Sequence, residues 1–520
     1  MARYFIVAGP CNAAEHYMIE ASSRLTGISD LINQKQYFVI HAARQSGKTT
    51  FLLDLAKRLN REGQYYALYC SLEVAQGIIE PEKGIPAIVD GIATALLFSN
   101  IPHREEFAKN ISGNNYALVL LRELTFFCMS LDKPLIILFD EADCLSEGTL
   151  ISFLRQLRNG YNTRSQTPFV QSVALVGMRN IRDFKAKIRP DSETLGSASP
   201  FNIVKKSLTL RNFTKDEIAE LYNQHTIETG QVFEPEAIEL IYQQTQGQPW
   251  LVNAIVCEVI VEILQTDYTK PVTADLVDKA IQTIILRRDT HIDSLLERLK
   301  EERVRRVMEP VIIGELSEID SQSDDYRYTT DLGLIREDNG VIMPSNPIYA
   351  EVIIRTLSAD SQKDLGESNY PYQMPHYLKN GRIDVTMLLQ DFQVFWRENS
   401  EIWIERYKYK EAAPHLILQA FLQRVVNGGG RIIREFAAGY RRLDLCVEFK
   451  GRKYPIELKL RRSSKTEENS YSQLLGYMDS LGVKEGWLII FDRRINIDWE
   501  TKIYLKTETM GDKTITIVGC

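Results

Sequence analysis

Apolar and polar positions change period along this chain, and the changes mark out its elements. Tyr37-Phe-Val-Ile40 is a continuous apolar run, whereas Phe51 to Leu59 carries apolar residues at helical spacing. A short apolar run suits a buried strand and a 3.6-residue repeat suits a helix. Tyr65 to Ser71 reads as a second strand. Leu135-Ile-Ile-Leu-Phe-Asp-Glu141, preceded by Pro134, is fully apolar until it ends in two acids, and Ser172-Val-Ala-Leu-Val-Gly177 follows the same plan. Strands alternating with helices predict a parallel sheet covered on both faces, an α/β doubly wound fold. From 207 to 285 the pattern is helical throughout, with Thr214-Lys-Asp-Glu217 a capping box and Pro235 an early helical residue.

Further on, a charged helix is expected from Asp293 to Val307, then Asp331-Leu-Gly-Leu-Ile335, the turn Asp338-Asn-Gly340 and Val341-Ile-Met343. Helices followed by a short hairpin with an Asn-Gly turn predict a winged helix. Between Ser358 and Tyr377 the chain turns polar, with Pro371 and Pro375, which marks a linker. Beyond it lie a helical stretch from Glu411 to Val426, the break Asn427-Gly-Gly-Gly430, and strand-like runs at Arg431–Phe436, Leu443–Phe449 and Lys453–Leu460. The turn Lys450-Gly-Arg452 joins the last two as a hairpin. The boundaries that follow are 1–205 for the α/β core, 206–285 for a helical lid, 286–360 for the winged helix, 361–380 for the linker and 381–520 for a C-terminal α/β domain.

Length and composition agree with several domains: 520 residues, 44% hydrophobic and 25% charged, exceed what one core organises. The N-terminus lacks the apolar core of a signal peptide, and no apolar run approaches the roughly 18 residues that span a bilayer. A cytoplasmic protein with no membrane contact is therefore expected. Seven scattered cysteines form no Cys-x-x-Cys pair, which points to small core residues rather than zinc or disulfides. Net charge is −7, yet Arg431 to Lys465 holds eleven basic residues against four acids, the footprint of a polyanion-facing surface.

The chemistry concentrates at two places. Ala42-Ala43-Arg44-Gln45-Ser46-Gly47-Lys48-Thr49 joins a strand to a helix, which aims backbone N–H groups at a phosphate. ATP or GTP is the expected ligand. Gly47 lets the backbone approach, Lys48 reaches the β/γ oxygens, and the Thr49 hydroxyl is a hard ligand for Mg²⁺. Arg44, Gln45, Ser46 and Thr50 complete the loop's contacts. Ala42 stands where the signature has its first glycine, which raises the question of whether the turn still forms and how fast hydrolysis runs. Asp140 and Glu141 arrive at the carboxyl edge of the sheet, the first to hold Mg²⁺ largely through water, the second to polarise the attacking water. Arg179 or Asn180, after the next strand, are placed to sense the γ-phosphate. Arg155, Arg158 and Arg164 are candidates for an arginine finger offered to a neighbouring subunit in a homo-oligomer.

Gly9-Pro10, His16-Tyr17, the loop 43–49, Asp140-Glu141, Gly177-Met-Arg-Asn180 and Gly247-Gln-Pro-Trp250 together resemble a bacterial AAA-like ATPase of the group related to signal-transducing (STAND-type) NTPases, over roughly residues 1 to 360. The resemblance implies a P-loop NTPase fold with an all-α lid, in which Gly247-Gln248-Pro249 lies against the nucleotide. It also implies that the winged helix docks on the ATPase and reports nucleotide state, which the acids at 315, 318, 320, 324 and 325 favour over DNA contact.

In the C-terminal domain, strand alternation puts Glu457 and Lys459 on one face and brings Asp444 beside them on the neighbouring strand. Two carboxylates with an ammonium suit phosphodiester cleavage: Asp444 and Glu457 to hold Mg²⁺ or Mn²⁺, Lys459 to orient water or stabilise developing charge. Glu411 offers a further carboxylate and Gln473 a group to position water or backbone; Glu435 and Arg442 are weaker candidates. The pattern looks like the PD-(D/E)xK nuclease superfamily over roughly 405 to 495, with Leu443 where the family name has proline. The expected function is an ATP-driven switch controlling a nuclease acting on nucleic acid, DNA rather than RNA, with defence or mobile-element biology suggested by analogy of architecture alone. The alternative is a regulatory ATPase whose C-terminal domain binds nucleic acid or a protein partner without cutting.

Overall fold

A computed structural model describes residues 3–108, 115–178, 204–287, 290–313, 320–357, 374–406, 413–426, 430–435, 444–461, 468–492, 494 and 497–520. The chain divides into two compact units, one comprising residues 1–287 with 330–333 and the other 288–329 with 334–520.

The first unit is organised by five strands, β1 (Tyr37–His41), β2 (Tyr66–Ser71), β3 (Leu135–Asp140), β4 (Ser172–Gly177) and β5 (Val204–Thr209), in the order β2-β3-β4-β1-β5. Every pairing is parallel. A parallel sheet needs helices on both faces, and the period-2 alternation of side chains supplies two cores. Tyr37, Val39, Leu135, Ile137 and Phe139 join one core with the helices Pro81–Leu97, Tyr116–Ser130 and Glu147–Thr163. Phe38, Ile40, Ile136 and Leu138 join the other with the helices Ile28–Asn33 and Lys48–Glu62. This is why β1 and β3 are continuous apolar runs in the sequence.

The expectation of helix from 207 onward starts too early, because Val204–Thr209 is the fifth strand and pairs with β1. Its sequence, Val-Lys-Lys-Ser-Leu-Thr, lacks the apolar run because it forms the sheet's edge. The helical segment proper begins at Lys215. Thr214 and Glu217 form the expected reciprocal capping box, and Pro235 opens its helix. Helices Pro249–Cys257 and Ala274–Arg287 follow, with one π-helical stretch at Glu258–Ile263.

The second unit begins with helices Thr290–Leu299 and Glu302–Ile313. It continues to the hairpin of β6 (Ile335–Asp338) and β7 (Val341–Pro344), then helix Pro347–Leu357. Asn339 and Gly340 both take positive φ, 50° and 79°, as a two-residue primed turn requires. A two-stranded pair, β8 (Leu378–Lys379) and β9 (Arg382–Ile383), precedes helices Val385–Arg406 and Ala413–Val426. Six strands then form one mixed sheet: β10 (Gly430–Glu435), β11 (Asp444–Phe449), β12 (Arg452–Arg461), β13 (Glu485–Asp492), β14 (Tyr504–Met510) and β15 (Lys513–Gly519), ordered β10-β11-β12-β13-β15-β14. The helix Glu468–Leu481 joins β12 to the parallel β13 and packs Leu474 and Met478 onto Leu488 and Ile490. No helix among the described residues is long and apolar enough to cross a membrane.

Candidate functional site

The phosphate loop leaves β1 and enters the helix Lys48–Glu62 through Gly47 in the left-handed region, φ 84°. Gln45 is left-handed as well, φ 56°, whereas Ala42 is not among the residues with positive φ. A missing glycine at 42 is thus compatible with the turn, because the left-handed positions lie at 45 and 47. Ala42 is buried and its N–H reaches Gly177 O at 3.3 Å, which ties the loop's start to the end of β4.

Lys48 is buried, and its ammonium donates to Ala42 O at 3.1 Å and Ala43 O at 2.9 Å. Burial lowers its pKa, against the pull of Glu141, Asp140 and Asp143. Burial likewise raises Glu141, which Lys48 opposes. Thr49 Oγ1 donates to Asp140 Oδ2 at 2.7 Å, so the two hard-oxygen groups expected to hold Mg²⁺ do converge. Asp140, 1% exposed at the end of β3, also accepts from Tyr69 OH at 3.2 Å and from the Glu141 N–H at 3.0 Å. Glu141 itself is left-handed, φ 53°, at the point where the chain turns off the sheet edge. Thr50 Oγ1 accepts from the Cys11 N–H at 2.9 Å, which binds the Gly9-Pro10 segment to the helix that the loop opens.

The Gly247-Gln248-Pro249 segment touches the loop. Gln248 donates from Nε2 to Gln45 O at 3.3 Å while its Oε1 caps the Leu251 N–H at 2.6 Å, and Pro249 is the buried first residue of that helix. Gly247, φ 70°, is pressed against Phe213: its carbonyl accepts the Phe213 N–H at 2.9 Å, and an added Cβ would meet Phe213 O at 1.9 Å. Trp250 Nε1 donates to Val7 O at 2.8 Å, so the N-terminal segment is pinned from both sides. His16 and Tyr17, by contrast, are buried packing groups; Tyr17 OH donates to Glu228 and stands 3.2 Å from His225 Nδ1.

Several residues here escaped the sequence. Asp143 accepts the Met178 N–H at 3.2 Å, and an added Cβ at Gly177 would lie 2.6 Å from its Oδ1, so it anchors the exit of β4. Tyr69 reaches Asp140 only through the sheet register; only the Asp-Glu-Ala-Asp run hinted at Asp143. Arg179 and Asn180 lie outside the described residues. Arg164 is engaged within its own chain, donating to Lys35 O at 2.8 Å and stacking 3.7 Å over Tyr161.

In the second unit, β12 carries Glu457 and Lys459 at 1% and 4% exposure, with Nζ of Lys459 2.5 Å from Oε1 of Glu457. The ammonium also donates to Gln473 Oε1 at 2.6 Å, across from the helix Glu468–Leu481. β11 pairs Leu445 with Ile456, and one further step of that antiparallel register sets Asp444 opposite Glu457. β10 pairs Glu435 with Asp444, so positions 435, 444 and 457 form one row across three strands. Glu411 and Arg442 lie outside the described residues. All seven cysteines are free.

No curated protein matches the sequence. Among solved structures, the chain is similar to the Walker-type ATPase paby2304 of Pyrococcus abyssi, at 15% identity over 67% of this chain and 99% of that one, with a TM-score of 0.46. It is also similar to Cdc6p from Pyrobaculum aerophilum, at 14% identity over 65% and 96%, TM-score 0.36. A third is the RuvB Holliday junction branch migration motor of Thermotoga maritima, at 15% identity over 62% and 89%, TM-score 0.32. The AAA-like domain family matches residues 8–354, which takes in the phosphate loop, Asp140-Glu141 and the Gly247-Gln248-Pro249 contact. The chain therefore belongs to the AAA-like domain family and carries a P-loop ATPase module.

Proposed function

We propose that this protein is a nucleotide-controlled nuclease, in which an ATP-binding and ATP-hydrolysing switch with a helical lid governs a metal-dependent phosphodiesterase in residues 381–520. Residues 286–360 serve as a winged-helix relay. The observation that carries the nuclease half is the Glu457–Lys459–Gln473 cluster. Burying a carboxylate and an ammonium together gains little stability, since desolvation offsets their attraction and an apolar pair would serve as well. Such a pair in register with Asp444 is better explained by chemistry than by folding.

In the ATPase, Thr49 and Asp140 supply hard oxygens that fit Mg²⁺, which would neutralise phosphate charge. Lys48 would exchange its two loop carbonyls for phosphate oxygens, and Glu141 would accept a proton from the attacking water. In the nuclease, Asp444 and Glu457 would hold Mg²⁺ or Mn²⁺, which activates water and stabilises the transition state. Glu457 and Gln473 together fix the Lys459 ammonium where it can orient water. Nucleic acid, DNA rather than RNA, is the proposed substrate, and a homo-oligomer the working form.

The reading is tested by incubating the full chain with single- and double-stranded DNA and RNA, with Mg²⁺ or Mn²⁺ and with or without ATP. Cleavage that disappears in Glu457→Gln supports it. No cleavage of any substrate, with nucleic-acid binding retained, would leave a switch that binds without cutting.

A further inference from the structure

Arg24 lies beneath the phosphate loop, and nothing in the chemistry described so far uses it. It is 5% exposed and ends a short 3₁₀ turn, Ala21–Arg24. Its Nη2 donates to Ser46 O at 2.8 Å and to Arg211 O at 2.6 Å, and its Nε donates to Arg211 O at 3.0 Å. An added Cβ at Gly47 would lie 3.1 Å from Nη1, so the guanidinium abuts the glycine that opens the phosphate-binding helix. Its charged plane also sits 4.9 Å from the ring of Phe213.

All of these acceptors are neutral carbonyls. Glu217, whose charge is felt at Arg24, is already taken: it binds Arg211 through both oxygens at 2.7 Å and also accepts from Thr214 N–H and Ser23 Oγ. Among the described residues no carboxylate forms an ion pair with Arg24. Burial lowers its pKa to about 10, which still leaves it charged at neutral pH. A buried cation lacking a counter-ion is strongly unfavourable unless an anion comes to it. Gly47 caps the helix Lys48–Glu62, whose N-terminus favours a phosphate.

Arg24 also bridges two structures. One hand holds the phosphate loop at Ser46; the other holds Arg211, two residues before Phe213, which is hydrogen-bonded to Gly247 of the lid motif. Gln248 closes the circuit by returning to Gln45 O. We propose that Arg24 is a second cation of the nucleotide site, a positioning residue whose charge is balanced by the nucleotide's phosphates through the loop, and whose two-sided hydrogen bonds transmit phosphate occupancy to the lid. This rests on the reading of residues 42–49 as a nucleotide site.

The test uses the full chain and titrates ADP and ATP with Mg²⁺ at low and high salt, in wild type, Arg24→Lys, Arg24→Gln and Lys48→Ala. Hydrogen exchange is followed over 211–217 and 245–251 with and without ADP, and circular dichroism confirms folding. Arg24→Gln should weaken ADP binding about tenfold, the loss expected for one charge-assisted contact. Arg24→Lys keeps the charge but not the bridge, so it should bind within about threefold of wild type yet lose the ADP-induced protection of the lid. Arg24→Gln binding as tightly as wild type, or Arg24→Lys retaining full lid protection, overturns the inference. Should Arg24→Gln fail to fold, the Arg24→Lys exchange pattern decides alone. Wild type that binds no nucleotide overturns the site reading itself, and the inference with it.

Discussion

Replacing Gly247 by alanine tests whether the helical segment from Lys215 onward is wired to the phosphate loop through Phe213. Gly247 is left-handed at φ 70°, a conformation that costs an alanine about 1–2 kcal/mol. The new Cβ would also stand 1.9 Å from Phe213 O, a backbone atom that cannot rotate aside. Reaching ordinary contact requires a shift of more than an ångström, enough to break the 2.9 Å bond from Phe213 N–H to Gly247 O. Leaving buried backbone groups unpaired costs about 1–3 kcal/mol more. The sum is about 2–5 kcal/mol, so the ATPase unit should melt at least ~4 °C lower, since 1 kcal/mol shifts a domain of this size by about 2 °C. Differential scanning calorimetry of the full chain, with and without nucleotide, reads the melting, and a nucleotide titration reads the site. A variant that melts within about 1 °C of wild type and binds ATP equally well would refute the coupling of 213, 247 and the loop.

Other substitutions probe the remaining claims. Lys48→Ala should weaken ATP binding by about 10- to 100-fold, the value of a charge-assisted contact of roughly 1.5–3 kcal/mol, measured by equilibrium titration. Tyr69→Phe removes one donor to Asp140 and should slow Mg²⁺-dependent ATP turnover about fivefold, roughly 1 kcal/mol, while nucleotide affinity holds; equal turnover would remove Tyr69 from the site. Glu217 has its pKa lowered to about 2, chiefly by Arg211, from an ordinary 4.5. A depressed carboxylate stabilises the fold above its ordinary pKa and loses that contribution as pH falls toward the folded value. The stability gap between wild type and Glu217→Gln should therefore be constant near pH 7 and shrink below about 4.5; a gap independent of pH would contradict the ion pair. Glu457→Ala takes the carboxylate away from the buried Lys459 ammonium and should destabilise the second unit by about 3–5 kcal/mol, whereas a Glu457→Ala, Lys459→Met double variant should recover most of it.

The phosphate loop, Asp140-Glu141 and the Gly-x-Pro motif were legible because each is a local run whose chemistry is fixed by adjacent residues. β3 showed itself as an apolar strand because both its faces are buried, while β5 did not, since its lysines and serine lie on an edge. The helix Pro81–Leu97 carries Gly84, Pro86 and Gly91, which blur its period; Gly84 is there because a Cβ would meet Thr149 at 2.2 Å. Arg24 and Tyr69 could not be found by pattern, since their partners at 46, 211 and 140 become neighbours only through the fold. In the second unit, alternation set Glu457 beside Lys459 with Asp444 on the neighbouring strand, and the sheet register extends that row to position 435. The turn at Ala42 needs no glycine of its own, because the left-handed positions of the loop are Gln45 and Gly47.

The central claim is that nucleotide at residues 42–49 controls cleavage at Glu457 and Lys459. It is tested most directly by product analysis with DNA and Mg²⁺, comparing wild type with Lys48→Ala and Glu457→Gln, each with and without ATP. The account predicts cleavage by wild type whose rate changes with ATP, cleavage by Lys48→Ala that ignores ATP, and none by Glu457→Gln. Cleavage that survives Glu457→Gln, or that responds to ATP equally in Lys48→Ala, would contradict it.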